Sequence, residues 1–86
     1  MELEDVFSSK TRMRVLMLLF KCGQLNTTDL ARRLGASYAT TLSHLTLLKN
    51  EGVVTDRLSG KTRFFRFTNT LKAQAVSRLL EEWESQ

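Results

Sequence analysis

A small, mainly α-helical domain carrying one β-hairpin, in the order α-α-α-β-β-α, is the fold class that this sequence predicts. Three observations predict it. Apolar residues recur at helical spacing in four separate segments. There is no Pro, and the four glycines, Gly23, Gly35, Gly52 and Gly60, all fall between patterned segments rather than within them. One β-branched and aromatic stretch, Val53 to Phe67, interrupts the helical pattern and is itself broken at Ser59-Gly60-Lys61.

Each element has its own signals. Ser9 is an N-cap, and Met13, Leu16, Met17, Leu19 and Phe20 then repeat at helical spacing until Gly23, which predicts a first helix from Ser9 to about Lys21. Asn26 with Asp29 three places on resembles a capping box, and Leu30, Ala31 and Leu34 mark one face of a short second helix that ends at Gly35. Ser37 caps a third helix, whose Thr41 or Leu42, Leu45 and Leu48 repeat at three and four until Gly52. Two helices joined through a short Gly-containing turn form a helix-turn-helix. Val53-Val54-Thr55 with Leu58, then Arg63-Phe64-Phe65-Arg66-Phe67, make the hairpin. Thr68-Asn69-Thr70 caps a last helix with a stripe of Leu71, Ala75, Val76, Leu79, Leu80 and Trp83.

Length and composition bound the rest. The 86 residues make one domain, 1–86, and the 42% hydrophobic and 26% charged content is ordinary globular usage. Chains this small bury only about 60% of their unfolded surface, so pairing with a second copy is expected. The single Cys22 supplies neither an intrachain disulfide nor a structural zinc site. The acidic start Glu2-Leu3-Glu4-Asp5 is unlike a signal peptide, and the longest apolar run, Val15 to Phe20, is far too short to span a membrane. A cytoplasmic protein without a membrane partner is expected.

Charge is distributed unevenly. All thirteen Lys and Arg lie between Lys10 and Arg78 with only Asp29, Glu51 and Asp56 as acids, a net +10 for that stretch against +4 for the chain. The remaining acids sit at the two ends, so the middle of the chain is expected to face a polyanion. The third helix exposes Ser37, Tyr38, Ala39, Thr40, Ser43 and Thr46, mostly short neutral groups suited to a major groove, with no basic residue before Lys49. Neutralisation of phosphates must then come from around it: Lys10, Arg12 and Arg14, Arg32 and Arg33, and the hairpin's Arg57, Lys61 and Arg63. Arg12 and Arg14 have a second reading, as partners of acids such as Glu2 or Glu4 inside a dimer. Such an arrangement is a winged helix-turn-helix on double-stranded DNA.

Along most of its length the chain resembles the arsenic-repressor (ArsR) family of winged helix-turn-helix regulators. Ser9-Lys10-Thr11-Arg12-Met13-Arg14-Val15-Leu16 is similar to that family's "DPTRLRIL" opening, Asp29-Leu30-Ala31 with Leu34-Gly35 to its "ELA..LG", and Ser37 through Gly52 to "SQPTVSRHLKLLREAG". Arg57 to Phe67 is similar to the family's wing. The resemblance implies a homodimeric DNA-binding transcriptional regulator, a repressor in type, and places His44 at the edge of the groove. Two departures matter. Thr41-Leu42 stands where the family has an apolar residue followed by Ser, which leaves open the register of the reading face: either the helix is rotated slightly or Leu42 is placed to touch a thymine methyl. Metal-sensing members carry Cys at places matching Asn26 and Thr28, or Asp and His ligands on the last helix, and this chain has none of them. No metal and no cofactor are expected.

Several residues carry two readings. Tyr38 either contacts a sugar or thymine methyl or merely covers the turn; Phe64, Phe65 and Phe67 are a single-strand platform or, since strand alternation puts at least Phe64 or Phe65 under the third helix, core; Cys22 is a small buried hydrophobe or a thiol switch. One His, one Cys and acids mostly at the chain ends supply no nucleophile and base, no paired carboxylates and no phosphate loop, so the chain is read as no enzyme. The alternatives are a DNA-coating architectural protein of low specificity and a winged helix used as a protein-protein module. Residues 68–86, with 1–8, are expected to dimerise the chain through Leu71, Val76, Leu79, Leu80 and Trp83 together with Leu3, Val6 and Phe7, which have nothing local to bury them.

Overall fold

Four hydroxyl or amide side chains start the four long helices of the computed structural model, which describes residues 2–85 apart from the Leu3 side chain. Ser9 accepts from the Arg12 amide at 3.2 Å, Asn26 from Asp29 at 2.7 Å, Ser37 from Thr40 at 3.0 Å and Thr70 from Ala73 at 3.1 Å. Each satisfies an amide that the first turn leaves without a partner. The helices that follow are α2 (Lys10–Cys22), α3 (Thr27–Leu34), α4 (Tyr38–Asn50) and α5 (Leu71–Glu84).

Two further elements appear that apolar periodicity did not predict. A single-turn-plus helix, α1 (Leu3–Ser8), precedes α2, and a three-residue strand, β1 (Gln24–Asn26), joins the hairpin β2 (Val54–Ser59) and β3 (Thr62–Phe67) in an antiparallel sheet of order β1-β3-β2. Segments this short carry too few residues to show a period. β1 is recognisable only once Leu25 is seen opposite Phe65.

The helix-turn-helix is closed by Gly35, at φ 67, where the Gly35 and Ala36 amides bond to the Arg32 and Ala31 carbonyls at 3.2 and 3.0 Å. That left-handed closure costs a residue with a Cβ far more than glycine. The hairpin turns on Gly60 and Lys61 between the paired Ser59 and Thr62, with only the glycine at positive φ, the arrangement of a type II′ turn.

The core joins Val15, Leu16 and Leu19 of α2, Leu30 and Leu34 of α3, Leu45 and Leu48 of α4, Val53 just before β2, Val54 and Phe65 of the sheet, and Val76 and Leu80 of α5. Met13, Met17 and Phe20, expected in the α2 stripe, are only partly buried, and Val15 is fully buried instead. Of Phe64 and Phe65, between which strand alternation leaves the choice open, Phe65 is the core residue, although β3 lies on α2 and α3 and it is β2 that runs beside α4. Cys22 is exposed rather than buried, with Arg33 Nη1 donating to its Sγ at 3.6 Å, because Gly23 ends α2 at the surface.

Candidate nucleic-acid interface

The face of α4 is decided by Thr41. Its side chain is fully buried, and its Oγ1 donates to the Ser37 carbonyl at 2.9 Å, so a polar residue fills a core position at no cost in unmet hydrogen bonds. Leu42 packs half-buried against the core and does not join the outer face. Outward lie Tyr38, Ala39, Thr40, Ser43 and Thr46, all exposed, with Tyr38 at 56%. Ser37 is exposed as well, but its hydroxyl is already engaged, accepting from the Thr40 amide and donating to Thr40 Oγ1 at 2.9 Å.

His44 sits beside this face rather than on it. It is half-buried, and its Nδ1 is enclosed with no hydrogen-bond partner among the described residues. Burial, and then the nearby Arg12 guanidinium, hold the imidazole below its ordinary pKa, so it is neutral at pH 7. Arg12 donates to the Asp5 carbonyl and Arg14 to the Leu34 carbonyl at 3.2 Å, so these two tie α2 to α1 and to the end of α3.

The hairpin divides its basic residues between two faces. Asp56 lies opposite Phe65 and Leu58 opposite Arg63, which puts these four on the side of the buried Phe65, while Arg57, opposite Phe64, points the other way. Arg57, Lys61 and Arg63 are all exposed, so the wing carries positive charge on both sides. A cleft of about 360 Å³ separates the wing from the helix-turn-helix, lined by Asn26, Thr27 and Thr28, by Tyr38, and by Leu58, Lys61, Thr62 and Arg63. It opens beside the outer face of α4.

Thr28, Leu58 and Asp56 belong to this region, and the sequence assigns none of them a place in the DNA-binding surface. Asp56 is the most informative: its carboxylate bridges Lys49 Nζ at 2.9 Å and Arg63 Nη1 at 2.5 Å. Being the only acid in the hairpin was a signal, but the register that puts it on the α4 side was not legible.

The helix-turn-helix backed by a three-stranded wing is a fold that the chain shares with known proteins. The model of the bacterial regulatory protein arsR family matches residues 9–56. The chain belongs to the ArsR family. It is 30% identical over 82 residues to the arsenical resistance operon repressor of Escherichia coli K12, covering 95% of this chain and 70% of that one. HlyU from Vibrio cholerae superposes with a TM-score of 0.81 at 25% identity, covering 98% of this chain and 89% of that one. The AntR antimony-specific transcriptional repressor does so at 0.77 and 27%, covering 95% and 77%. The homodimeric winged helix-turn-helix domain Mb0332 of Mycobacterium bovis shares the fold, at 0.76 and 24% identity over 94% and 70%. This ArsR-family chain is therefore a DNA-binding transcriptional regulator with a winged helix fold, and no described helix is long and apolar enough to cross a membrane.

At the two places that the resemblance matches to the Cys of metal-sensing members, Asn26 spends its side-chain oxygen capping α3 and Thr28 is an exposed alcohol. Among the described residues no group of three or more His, Cys, Asp and Glu is arranged to hold a metal ion.

The residues expected to dimerise the chain are divided between its core and its surface. Val6, Val76 and Leu80 are buried within the chain, at 7%, 6% and 2% exposure, because α1 and α5 fold back onto α2. Phe7 and Leu79 remain partly exposed and Trp83 is 72% exposed; with Met13 and Met17 they line an apolar groove of about 370 Å³. Leu71, 84% exposed, stands at the opposite end of α5 from that groove. Leu3's side chain lies outside the described residues, as do Met1 and Gln86.

Proposed function

We propose that this ArsR-family regulator acts as a homodimeric, sequence-specific repressor on double-stranded DNA. The observation that carries the reading is the outer face of α4: Tyr38, Ala39, Thr40, Ser43 and Thr46 are exposed, short or aromatic, and uncharged. Neutral donors and methyl groups read base edges, whereas a surface that only coats DNA needs charge there. In this reading α4 enters the major groove, Ser37 positions its first turn, and Arg57, Lys61 and Arg63 hold phosphates or the minor groove. His44 contributes as a neutral group at the groove's edge.

The apolar groove of Phe7, Met13, Met17, Leu79 and Trp83 supports pairing with a second copy. It gathers exposed apolar side chains on the end of the domain formed by α1, α2 and α5. Two copies joined there by a two-fold axis would address half-sites about one helical turn apart. That the Mycobacterium bovis domain of this fold is homodimeric is in keeping with this. The repressor role is carried over from the names of the arsenical and antimony relatives; their metalloid response is not.

The test is selection of bound sequences from a random duplex pool, followed by competition titrations at fixed salt. A pseudo-palindrome preferred by roughly 10³ or more over random DNA is expected. Equal affinity for all sequences would make the chain an architectural protein, and absence of salt-dependent DNA binding would make it a protein-protein module. Arsenite, zinc, cadmium and nickel should leave the affinity unchanged; a metal-induced loss that Cys22→Ser abolishes would reveal a site shared between subunits.

A further inference from the structure

We propose that Asp56 is a positioning residue of the DNA-binding surface, one that ties the wing to the reading helix and restrains attraction to DNA of arbitrary sequence. This rests on the DNA-reading function proposed above. Only three acids lie within the strongly basic stretch between Lys10 and Arg78. Asp29 pairs with Arg32 inside α3, and Glu51 with Lys72 at the start of α5. Asp56 alone of the three joins the end of α4, through Lys49, to the wing, through Arg63.

The geometry explains why it reaches both. Asp56 lies opposite Phe65, whose side chain is buried, so the carboxylate is on the side of the hairpin that faces the helices. Arg63 is diagonal to it on the same face, two positions nearer the turn. The carboxylate is only 11% exposed, while Lys49 and Arg63 keep 47% and 49% of their side chains open. A guanidinium with five donors spends one on Asp56 and still has others for a phosphate, now presented from a fixed position.

Two consequences follow for binding. A half-exposed ion pair adds little to folding, so the tether acts on where Arg63 and Lys49 point more than on stability. It also cancels one positive charge in the surface that meets the polyanion. Hydrogen bonding from Lys49 foremost, and from Arg63, keeps the carboxylate below its ordinary pKa, so that charge is present at neutral pH.

The test compares wild type with Asp56→Asn in salt titrations on random-sequence duplex and on the sequence recovered by selection. The neutral variant should bind random duplex more tightly, by about fivefold at physiological salt, with a salt slope steeper by about 0.9. Its affinity for the selected sequence should rise less, so the ratio of the two falls. Asp56→Glu, which keeps the charge, should restore the wild-type slope. Asp56→Ser is a second neutral variant should the Asn protein melt early, and both are checked by thermal melting. An unchanged slope and random-DNA affinity in a folded neutral variant would overturn the role of Asp56, as would equal losses on both DNAs. A wild type that shows no salt-dependent DNA binding would instead overturn the DNA-reading function itself, and this inference with it.

Discussion

Thr41 Oγ1 donates to the Ser37 carbonyl at 2.9 Å from a fully buried position, and the same carbonyl also accepts the Thr41 amide at 3.0 Å. The hydroxyl is satisfied but redundant for its acceptor. Thr41→Val, close in shape, leaves no orphaned group and should change stability by about 1 kcal/mol or less. Because the residue faces inward, sequence preference on DNA should be unchanged. A shift in the selected sequence would show that α4 is rotated from the position described.

The inward face of α4 supports the whole domain. Leu45 is fully buried among α2, α3 and the sheet, so Leu45→Ala should cost about 2 to 5 kcal/mol. Thr46→Ala, one residue on and exposed, should stay within about 0.5 kcal/mol. Denaturant unfolding of the two variants measures the contrast, and similar costs would contradict the assigned face.

Wing and reading helix should separate sequence-independent from sequence-dependent binding. Lys61→Ala, at the exposed turn, should weaken binding to every sequence alike and lower the salt slope by about one. Tyr38→Ala and Ser43→Ala should mainly reduce preference for the selected site, by about 1 to 3 kcal/mol where a base contact is lost. Altered preference from the wing change, with none from the helix changes, would reverse the groove assignment.

Trp83 and Leu79 offer a way to separate pairing from folding. Both are exposed on α5 beside Phe7 and Met17. Trp83→Asp with Leu79→Asp should give a folded monomer in sedimentation at micromolar concentration, with wild type a dimer, and DNA affinity should fall as one half-site is lost. A wild-type monomer, or a variant that still dimerises, would place the interface elsewhere.

His44 predicts a pH dependence of stability. Its folded pKa is below the ordinary 6.5, so the unfolded chain binds more protons and stability rises with pH. The contribution is complete above the unfolded value and is lost as pH falls below it. Asp56 and Glu51, held low by their hydrogen bonds and cationic partners, lose their contributions only as pH falls below the ordinary carboxylate range of about 4 to 5. Between about pH 7.5 and 5.5, then, wild type should lose melting temperature that His44→Asn retains. Parallel curves for the two proteins would show that His44 is not the titrating group.

What the sequence by itself determined was local: the caps Ser9, Asn26 and Ser37, a fourth cap within Thr68-Asn69-Thr70, the stops at Gly23, Gly35 and Gly52, and the Gly60 turn. Each rests on contacts within about four residues, where side-chain chemistry and backbone geometry decide the outcome together. The family was legible for the same reason, since its motifs are ordered runs of such local signals. Only the tertiary structure decided the rest. Thr41 rather than Leu42 turned inward because α4 is placed by α2, α3 and β2, not by its own period. Val6, Val76 and Leu80 went into the chain's own core because α1 and α5 fold back onto α2, leaving Trp83 outside. Arg57 and Arg63 parted to opposite faces, and Asp56 reached Lys49, only through the register of β2 on β3. These are relations between residues distant along the chain, set by which surfaces bury together, and no spacing in one segment encodes them.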